Sequence, residues 1–588
     1  MTTQTELLSG NEAIARGAYE AGVTVATGYP GTPSTEILEA IAAFKPDIYS
    51  EWSPNEKVAL EVAGGASFTG ARSIVTMKHV GLNVAADPLM TFACIGAVGG
   101  LVICVADDPG MHSSQNEQDS RHYARFAKIP IFEPSDSGEA RDFTALALSV
   151  SEQFQTPVIL RTTTRISHSR SLVALRERAQ PAKRAGFVKN PPRYVPIPVW
   201  ARAMRRTVEE RLPKLSSAAC GSPANRIEMR DPGLGIITSS VAYQYVRDIW
   251  PEASVLKLGW AYPFPDELIR RFASQVKKIL VVEELDDFLE EHIKALGIAC
   301  DGRNFIPGLG ELSPTVMRAA RAKYEGRPPI AAPSRAQTQD LPLRPPVLCP
   351  SCPHRGIFYA LAQFDVVVTG DIGCYSLGVL PPLNRMDTIL CMGAGVSMTQ
   401  GFEKGGEPKR VVGIVGDSTF FHSGMTGLLN IVYNGGSAVI IVVDNRTTAM
   451  TGHQPNPGSG QTLMGEGAPA ASIEAIATAC GVKRVITVNP YELQQTIQTL
   501  KESLEAKEPT VIVSRAACPL DEGKPVGEAL AINTDQCQQC YECLSLGCPA
   551  LERDEAHGLR INDLLCGGCK MCQQICPVEA ISTKEAVQ

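Results

Sequence analysis

The sequence predicts a multi-domain α/β protein. Parallel sheets with helices on both faces are followed by a small cysteine-rich C-terminal domain. Three observations lead there. Short β-rich runs alternate with helical patterns almost throughout, the signature of βαβ units. The most apolar runs, such as "AVIIVVDN" and "GLVICVADD", are far shorter than a membrane span, so they read as buried parallel strands. Eight of the 18 cysteines fall between Cys537 and Cys576.

A chain of 588 residues is too long for one core. With 44% hydrophobic and 20% charged residues it is globular in composition. The net charge is −7 and no basic run stands out, so neither a nucleic acid nor a membrane is an expected partner. The N-terminal stretch has no basic segment leading into an apolar core. A cytoplasmic protein without a signal peptide is therefore expected. In that compartment 18 cysteines do not form a disulfide framework.

The first region, residues 1–185, carries the strands "GVTVATGYPG", "SIVTMKHVG", "GLVICVADDPG" and "PVILRTTTR", with helical patterns such as "PSTEILEAIAAF" between them. Residues 186–230 are rich in proline and arginine and read as a connecting segment with one helix. A smaller α/β domain is expected over 231–326 and a Pro-rich linker over 327–347. A third α/β region spans 348–525 on "DVVVTGDIG", "RVVGIVGDS", "SAVIIVVDN" and "TVIVSRAA". The cysteine-rich tail is 526–588.

In the tail, Cys537, Cys540 and Cys543 are spaced by two residues each, and Cys548 follows, then Pro549. Cys566, Cys569 and Cys572 repeat the spacing before Cys576 and Pro577. Such spacing lets three thiolates of one loop face a single cubane while the remote fourth comes from the other run. The tail resembles the bacterial two-cluster ferredoxins. That resemblance implies two [4Fe–4S] clusters, one on Cys537, Cys540, Cys543 and Cys576, the other on Cys548, Cys566, Cys569 and Cys572. Zinc is the alternative, but zinc sites rarely use paired runs of four cysteines with trailing prolines. The first run has one residue more than usual before Cys548.

In the third region an Asp follows an apolar strand at Gly416-Asp417-Ser418, and Asn445 follows a second strand. Oxygen side chains at the C-terminal ends of parallel strands suit Mg²⁺ with phosphate among its ligands. The stretch resembles the GDG…NN motif of thiamine-diphosphate enzymes, with 25 residues between Ser418 and Asp444. Ser418 stands where that motif has Gly, and Asp444 where it has the first Asn. The resemblance implies that Asp417 and Asn445 hold Mg²⁺ through side-chain oxygens and Thr447 through its carbonyl. "CMGAGVSMTQGF" resembles the M-G-x-G segment of the same enzymes, placing Met392 and Gly393 against the cofactor.

In the first region "SPNEKVALEVAGGASFTGAR" resembles the segment whose glutamate meets the thiamine aminopyrimidine, and Glu56 takes that position. A carboxylic proton shared with the ring nitrogen favours the imino tautomer that activates the thiazolium. Glu61, five residues on, is expected to face elsewhere. "GYPGTPSTE" resembles the Y-P-x-T-P-S loop of 2-oxoacid:ferredoxin oxidoreductases, which brings Thr32 to the substrate; a plain strand-to-helix loop capped by Ser34 is the alternative. The polar stretch "DDPGMHSSQNEQDSRHYARF" supplies further pocket candidates: His112, Ser113 and Arg121. An ordinary solvated loop is the other reading of it.

"CPSCPHRG" adds Cys349 and Cys352, "GDIGCYSLG" adds Cys374, and "RAACPL" adds Cys518. In the pyruvate:ferredoxin relatives, cysteines in this order hold a cluster near the thiamine. The same order here implies a third, proximal [4Fe–4S] cluster. The alternative keeps these cysteines structural and gives "PHR" to catalysis, with His354 as an acid/base or carboxylate contact.

Taken together, the motifs resemble the catalytic (alpha) subunits of the indolepyruvate branch of the 2-oxoacid:ferredoxin oxidoreductases. The resemblance implies a smaller beta subunit, ferredoxin as electron acceptor, and coenzyme A as acyl acceptor. It also implies oxidative decarboxylation of aryl 2-oxoacids to the acyl-CoA and CO2. Branched-chain oxoacids or arylglyoxylates as substrates, and a non-oxidative thiamine-dependent decarboxylase, are the alternatives.

Overall fold

A computed structural model describes residues 4–180, 186–328, 345–523, 525–554 and 558–583. The first-region boundary at 185 and most of the expected linker lie outside these residues. The chain divides into two compact units, residues 1–340 and 341–588.

The first unit is built on a seven-stranded sheet. Its order is Trp260–Tyr262, Ile131–Phe132, Val158–Thr163, Leu101–Asp107, Ser73–Lys78, Val25–Gly28 and Tyr49–Trp52. All neighbours are parallel except the first pair. The three central apolar runs are buried along their whole length, as strands covered by helices on both faces must be. One covering helix, Glu56–Phe68, starts where Asn55 accepts the Val58 N–H at 2.9 Å.

The same unit holds a four-stranded sheet in the order Ile279–Val282, Asp231–Ser239, Ala253–Leu258 and Asn225–Glu228, the last antiparallel. Strands therefore cross the sequence segments on either side. Asn225–Glu228, from the expected connecting segment, joins the small sheet. Trp260–Tyr262, from the expected small domain, joins the large one. The connecting segment also contributes the long helix Pro198–Cys220.

The second unit has a six-stranded, all-parallel sheet. Its order is Thr388–Ile389, Val366–Gly370, Arg410–Gly416, Val439–Asp444, Thr510–Arg515 and Arg484–Val488. Four neighbouring strands end at Gly370, Gly416, Asp444 and Arg515, so Asp371, Asp417 and Asn445 emerge along one carboxyl edge. That edge is where ligands bind in open parallel sheets. The tail adds two antiparallel pairs, Leu530–Ile532 with Ile581–Thr583 and Leu551–Asp554 with Gly558–Ile561. The predicted fold class, parallel α/β followed by a small cysteine-rich domain, is the one observed. No helix among the described residues is long and apolar enough to cross a membrane.

Candidate active site

In the first unit Glu56 opens the helix Glu56–Phe68 and is buried. Its carboxylate lies against Gly81, where a Cβ would come within 2.5 Å of Oε1 and push the carboxylate aside. Glu61 is half exposed and ion-pairs with Lys57 on the surface, facing away as expected.

Thr32 and Ser113 come together. The Ser113 hydroxyl donates to the Thr32 carbonyl at 3.2 Å. Ser34 does not cap the following helix; its hydroxyl donates to the Gly31 carbonyl at 2.8 Å. Lys78, at the end of strand Ser73–Lys78, joins this cluster and donates to the Ser113 carbonyl at 2.7 Å. Burial pushes Lys78 down to about 8, a drop that the nearby Asp108 charge only partly offsets. Asp108 folds the loop around itself, accepting from the Ser113 N–H at 2.8 Å, the Ser114 hydroxyl at 2.5 Å and the Thr164 hydroxyl at 2.7 Å. Burial pushes Asp108 up, but these bonds and the Lys78 charge outweigh it and hold the carboxyl low.

The other two pocket candidates lie elsewhere. His112 is exposed and stands 3.7 Å from Glu311. Arg121 is a correction to the sequence reading: it is 1% exposed and fully consumed by buried partners. It donates to Asp119 at 2.5 Å, to Glu283 at 2.6 Å and to the carbonyls of Glu284 and Asp286 at 2.9 and 3.0 Å. A guanidinium this deeply buried and paired with two carboxylates braces the fold.

In the second unit Asp417, Asn445 and Thr447 are all buried. Asn456, which belongs to no motif, donates to Asp417 Oδ2 at 3.1 Å. Burial and the Asp444 charge push Asp417 up to about 7. Asp444, the departure from the resembled motif, has its own counter-charge: Arg515 Nε donates to it at 2.7 Å. Asn445 Oδ1 accepts the Thr447 N–H at 3.4 Å, and the buried Thr447 hydroxyl has no partner. A buried carboxyl with no cationic partner among the described residues, an amide oxygen and a hydroxyl with no partner among them form an oxygen-rich donor set suited to a hard cation. Ser418 is buried beside Asp417.

Gly393 has φ +88°, and a Cβ there would meet Ser423 at 2.5 Å, so the M-G-x-G turn needs its glycine; Met392 is partly buried beside it. Asp371 was not expected from the motifs. It accepts the Gly395 N–H at 2.9 Å, and burial pushes it up to about 7 despite bonds from the backbone N–H groups of Ile372, Gly395 and Gly393. Its position directly after a strand is the signal that marks Asp417. His354 is buried, packs edge-on against Tyr375 with centroids 6.1 Å apart, and is pushed down to about 4 by burial, so it is a neutral imidazole.

The cysteines lie in groups near one another. Cys537, Cys540, Cys543 and Cys576 line one small pocket. Cys572 lies within electrostatic range of Cys548, Cys566 and Cys569, and burial among these thiols drives it far up. Cys374 feels both Cys349 and Cys518, and burial pushes it up to about 11. Cys352, pushed up to about 12 by burial, feels Cys349 and Cys374 and accepts the His354 backbone N–H. Buried, crowded thiols resist ionisation unless cations join them, which is the condition that iron supplies. The Cys518 N–H donates to the Asn445 carbonyl at 3.2 Å, so this last set is tied by backbone to the Asp417–Asn445 edge.

Comparisons with known proteins agree. Residues 16–206 match the thiamine-diphosphate-binding family of pyruvate flavodoxin/ferredoxin oxidoreductases. Residues 371–514 match the C-terminal thiamine pyrophosphate-binding domain of thiamine enzymes, and 559–582 a 4Fe-4S binding domain. The chain is 43% identical to indolepyruvate oxidoreductase subunit IorA of Methanothermobacter marburgensis, covering 98% of this chain and 96% of that one. It is 41% identical to the same subunit of Archaeoglobus fulgidus, over 98% and 97%. A 2-oxoglutarate synthase subunit KorA of M. marburgensis is 24% identical over 48% of this chain and 88% of that one. The chain belongs to the family of indolepyruvate oxidoreductase IorA subunits, thiamine-diphosphate-dependent and iron–sulfur-containing members of the 2-oxoacid:ferredoxin oxidoreductases.

Proposed function

We propose that this chain is the catalytic subunit of an enzyme that oxidatively decarboxylates aryl 2-oxoacids, indolepyruvate and related arylpyruvates, to the acyl-CoA and CO2. It works with a smaller beta subunit in the cytoplasm and passes electrons to ferredoxin. The carrying observation is the Cys518 N–H bond to the Asn445 carbonyl, which sets a four-cysteine group beside the diphosphate-side residues. The aryl preference rests on the names carried by the relatives at 41–43% identity.

Thiamine diphosphate, when bound, supplies a carbanion at its thiazolium ring and a sink for the electrons left by loss of CO2. Glu56 would hold the proton shared with the pyrimidine ring nitrogen. Asp417, Asn445 and the Thr447 carbonyl would hold Mg²⁺, with Gly416 and Ser418 on the diphosphate side and Met392 and Gly393 shaping the cofactor's bed. Lys78 binds the oxoacid carboxylate with Thr32 and Ser113 beside it. His354 stays neutral and offers a hydrogen bond, not a charge. Three groups of four cysteines would each hold a [4Fe–4S] cluster that supplies one-electron transfer: Cys349, Cys352, Cys374 and Cys518; Cys548, Cys566, Cys569 and Cys572; and Cys537, Cys540, Cys543 and Cys576.

The test is viologen reduction dependent on 2-oxoacid and CoA, with the beta subunit present, over indolepyruvate, phenylpyruvate, branched-chain oxoacids and arylglyoxylates. Fastest turnover on arylpyruvates is the expected result. CO2 release without dye reduction would instead mark a non-oxidative decarboxylase, and a branched-chain optimum would overturn the aryl assignment.

A further inference from the structure

Arg355 ties two of the cysteine sets together. It lies in the first turn of the helix His354–Leu361 and is 1% exposed. Its guanidinium donates to carbonyls on two segments far apart in sequence. Nη1 reaches Leu546 at 2.8 Å and Gly547 at 2.5 Å. Nη2 reaches Leu348 and, at 3.3 Å, Cys349; Nε also reaches Cys349 at 3.3 Å. Leu348 and Cys349 open the "CPSCPHRG" loop, and Gly547 immediately precedes Cys548.

Among the described residues no carboxylate accepts from Arg355. This contrasts with Arg121 and Arg161 in the first unit, buried guanidiniums that each meet carboxylates. A guanidinium does not give up its proton in proteins, so the charge persists. A buried, persistent charge needs an anion. The groups that interact with its charge are the thiols of Cys349 and Cys352 of the proximal set and of Cys548 and Cys569 of the second tail set, which become thiolates when iron binds. A second link joins the same two loops: the Ser351 hydroxyl hydrogen-bonds Cys569.

We propose that Arg355 is a fixed positive charge shared by the proximal set and the second tail set, raising the electron affinity of both centres together. The proposal rests on the three-set reading given above. A four-thiolate iron–sulfur centre is net negative and gains one further negative charge when it takes up an electron, so a cation held between two such centres favours the reduced form of each. Each takes one electron at a time, and no bond forms or breaks. The electrons originate in the oxidised 2-oxoacid and leave to ferredoxin. The set on Cys537, Cys540, Cys543 and Cys576 has no described bond to Arg355 and serves as an internal control. Arg355 is thus a positioning and potential-setting residue.

The test uses the iron-loaded full-length chain with its partner subunit, titrated with dithionite and followed by electron paramagnetic resonance, with iron counted in parallel. Wild type carries about twelve irons, from three four-iron centres. Arg355→Gln lowers the electron affinity of two of the three centres at least tenfold, about 59 mV for a one-electron couple. The third centre does not move. Arg355→Lys, which keeps the charge, leaves both potentials near wild type.

Arg355→His makes the same two potentials rise as pH falls between about 8 and 5, the range in which histidine gains its proton. This variant decides the matter if Arg355→Gln fails to load iron. Unmoved potentials in a fully loaded Arg355→Gln, equal shifts in the Gln and Lys variants, or pH-independent potentials in a loaded Arg355→His overturn the proposal. A wild-type count of about eight irons removes the proximal centre itself and the shared charge with it. That outcome is distinct from unmoved potentials at about twelve.

Discussion

The buried charges singled out in the two units are balanced differently. In the first, each buried charge singled out has a partner made of protein: Arg121 with Asp119 and Glu283, Lys78 with Ser113 and Asp108 nearby. In the second, burial pushes Asp371 up to about 7, burial and the neighbouring Asp444 charge do the same to Asp417, and the thiols are pushed up by burial and crowding. On the proposed reading, the first unit offers the oxoacid site and the Glu56 carboxyl, and the second offers an anionic edge for a cation. The difference makes distinct demands on mutants of each unit.

The largest effect is expected at the two ends of the cofactor. Glu56→Gln removes the shared proton and lowers kcat by about 10²–10⁴, the usual worth of a positioned acid/base. Steady-state kinetics on arylpyruvate checks it, and a kcat within about twofold of wild type would dismiss the pyrimidine role. Next comes Arg121→Met. Breaking a buried ion pair on one side costs about 3–5 kcal/mol, because Asp119 and Glu283 are left uncompensated. Chemical denaturation reads the loss, while KM for the oxoacid in the folded fraction stays put. A raised KM at full stability would return Arg121 to the substrate pocket.

Lys78→Met is expected to raise KM about 10- to 100-fold, the worth of about 1.5–3 kcal/mol for a hydrogen bond to a charged group, with kcat less affected. The same residue sets a pH signature. Lys78 titrates near 8, so it carries its charge below that pH and loses it above. KM in wild type should be flat below about 8 and climb above it, and the climb should vanish in Lys78→Met. A wild-type profile without the climb would disconnect Lys78 from the carboxylate. The smallest effect belongs to His354. Burial holds it neutral down to about 4, so kcat should show no inflection of its own between pH 5 and 8. An inflection there that disappears in His354→Gln would restore it as an acid/base.

Much of this was legible before any coordinates. Strands buried on both faces announce themselves as unbroken apolar runs, which is why Ser73–Lys78, Leu101–Asp107 and Val439–Asp444 were read directly. Two-residue pieces such as Ile131–Phe132 carry no such pattern and were not. The grouping of the tail cysteines was legible because their spacing is regular and short. Lys78 and Asn456 were not, since a lone polar residue becomes informative only when the fold places another beside it. Arg121 was misplaced for the same reason: a polar loop reads as solvated, while its Arg and Asp119 are sealed against Glu283. Asp371 stood in plain view directly after a strand, without a second motif residue to draw attention to it.

The most direct measurement is thiamine diphosphate binding to the iron-loaded chain with its partner subunit, by calorimetry with and without Mg²⁺, for wild type, Asp417→Asn and Lys78→Met. Binding should need Mg²⁺ in wild type and in Lys78→Met, and should fall at least about 100-fold in Asp417→Asn, equivalent to about 2.7 kcal/mol. Tight binding that ignores both Mg²⁺ and Asp417 would contradict the account of the second unit as an anionic edge completed by a cation.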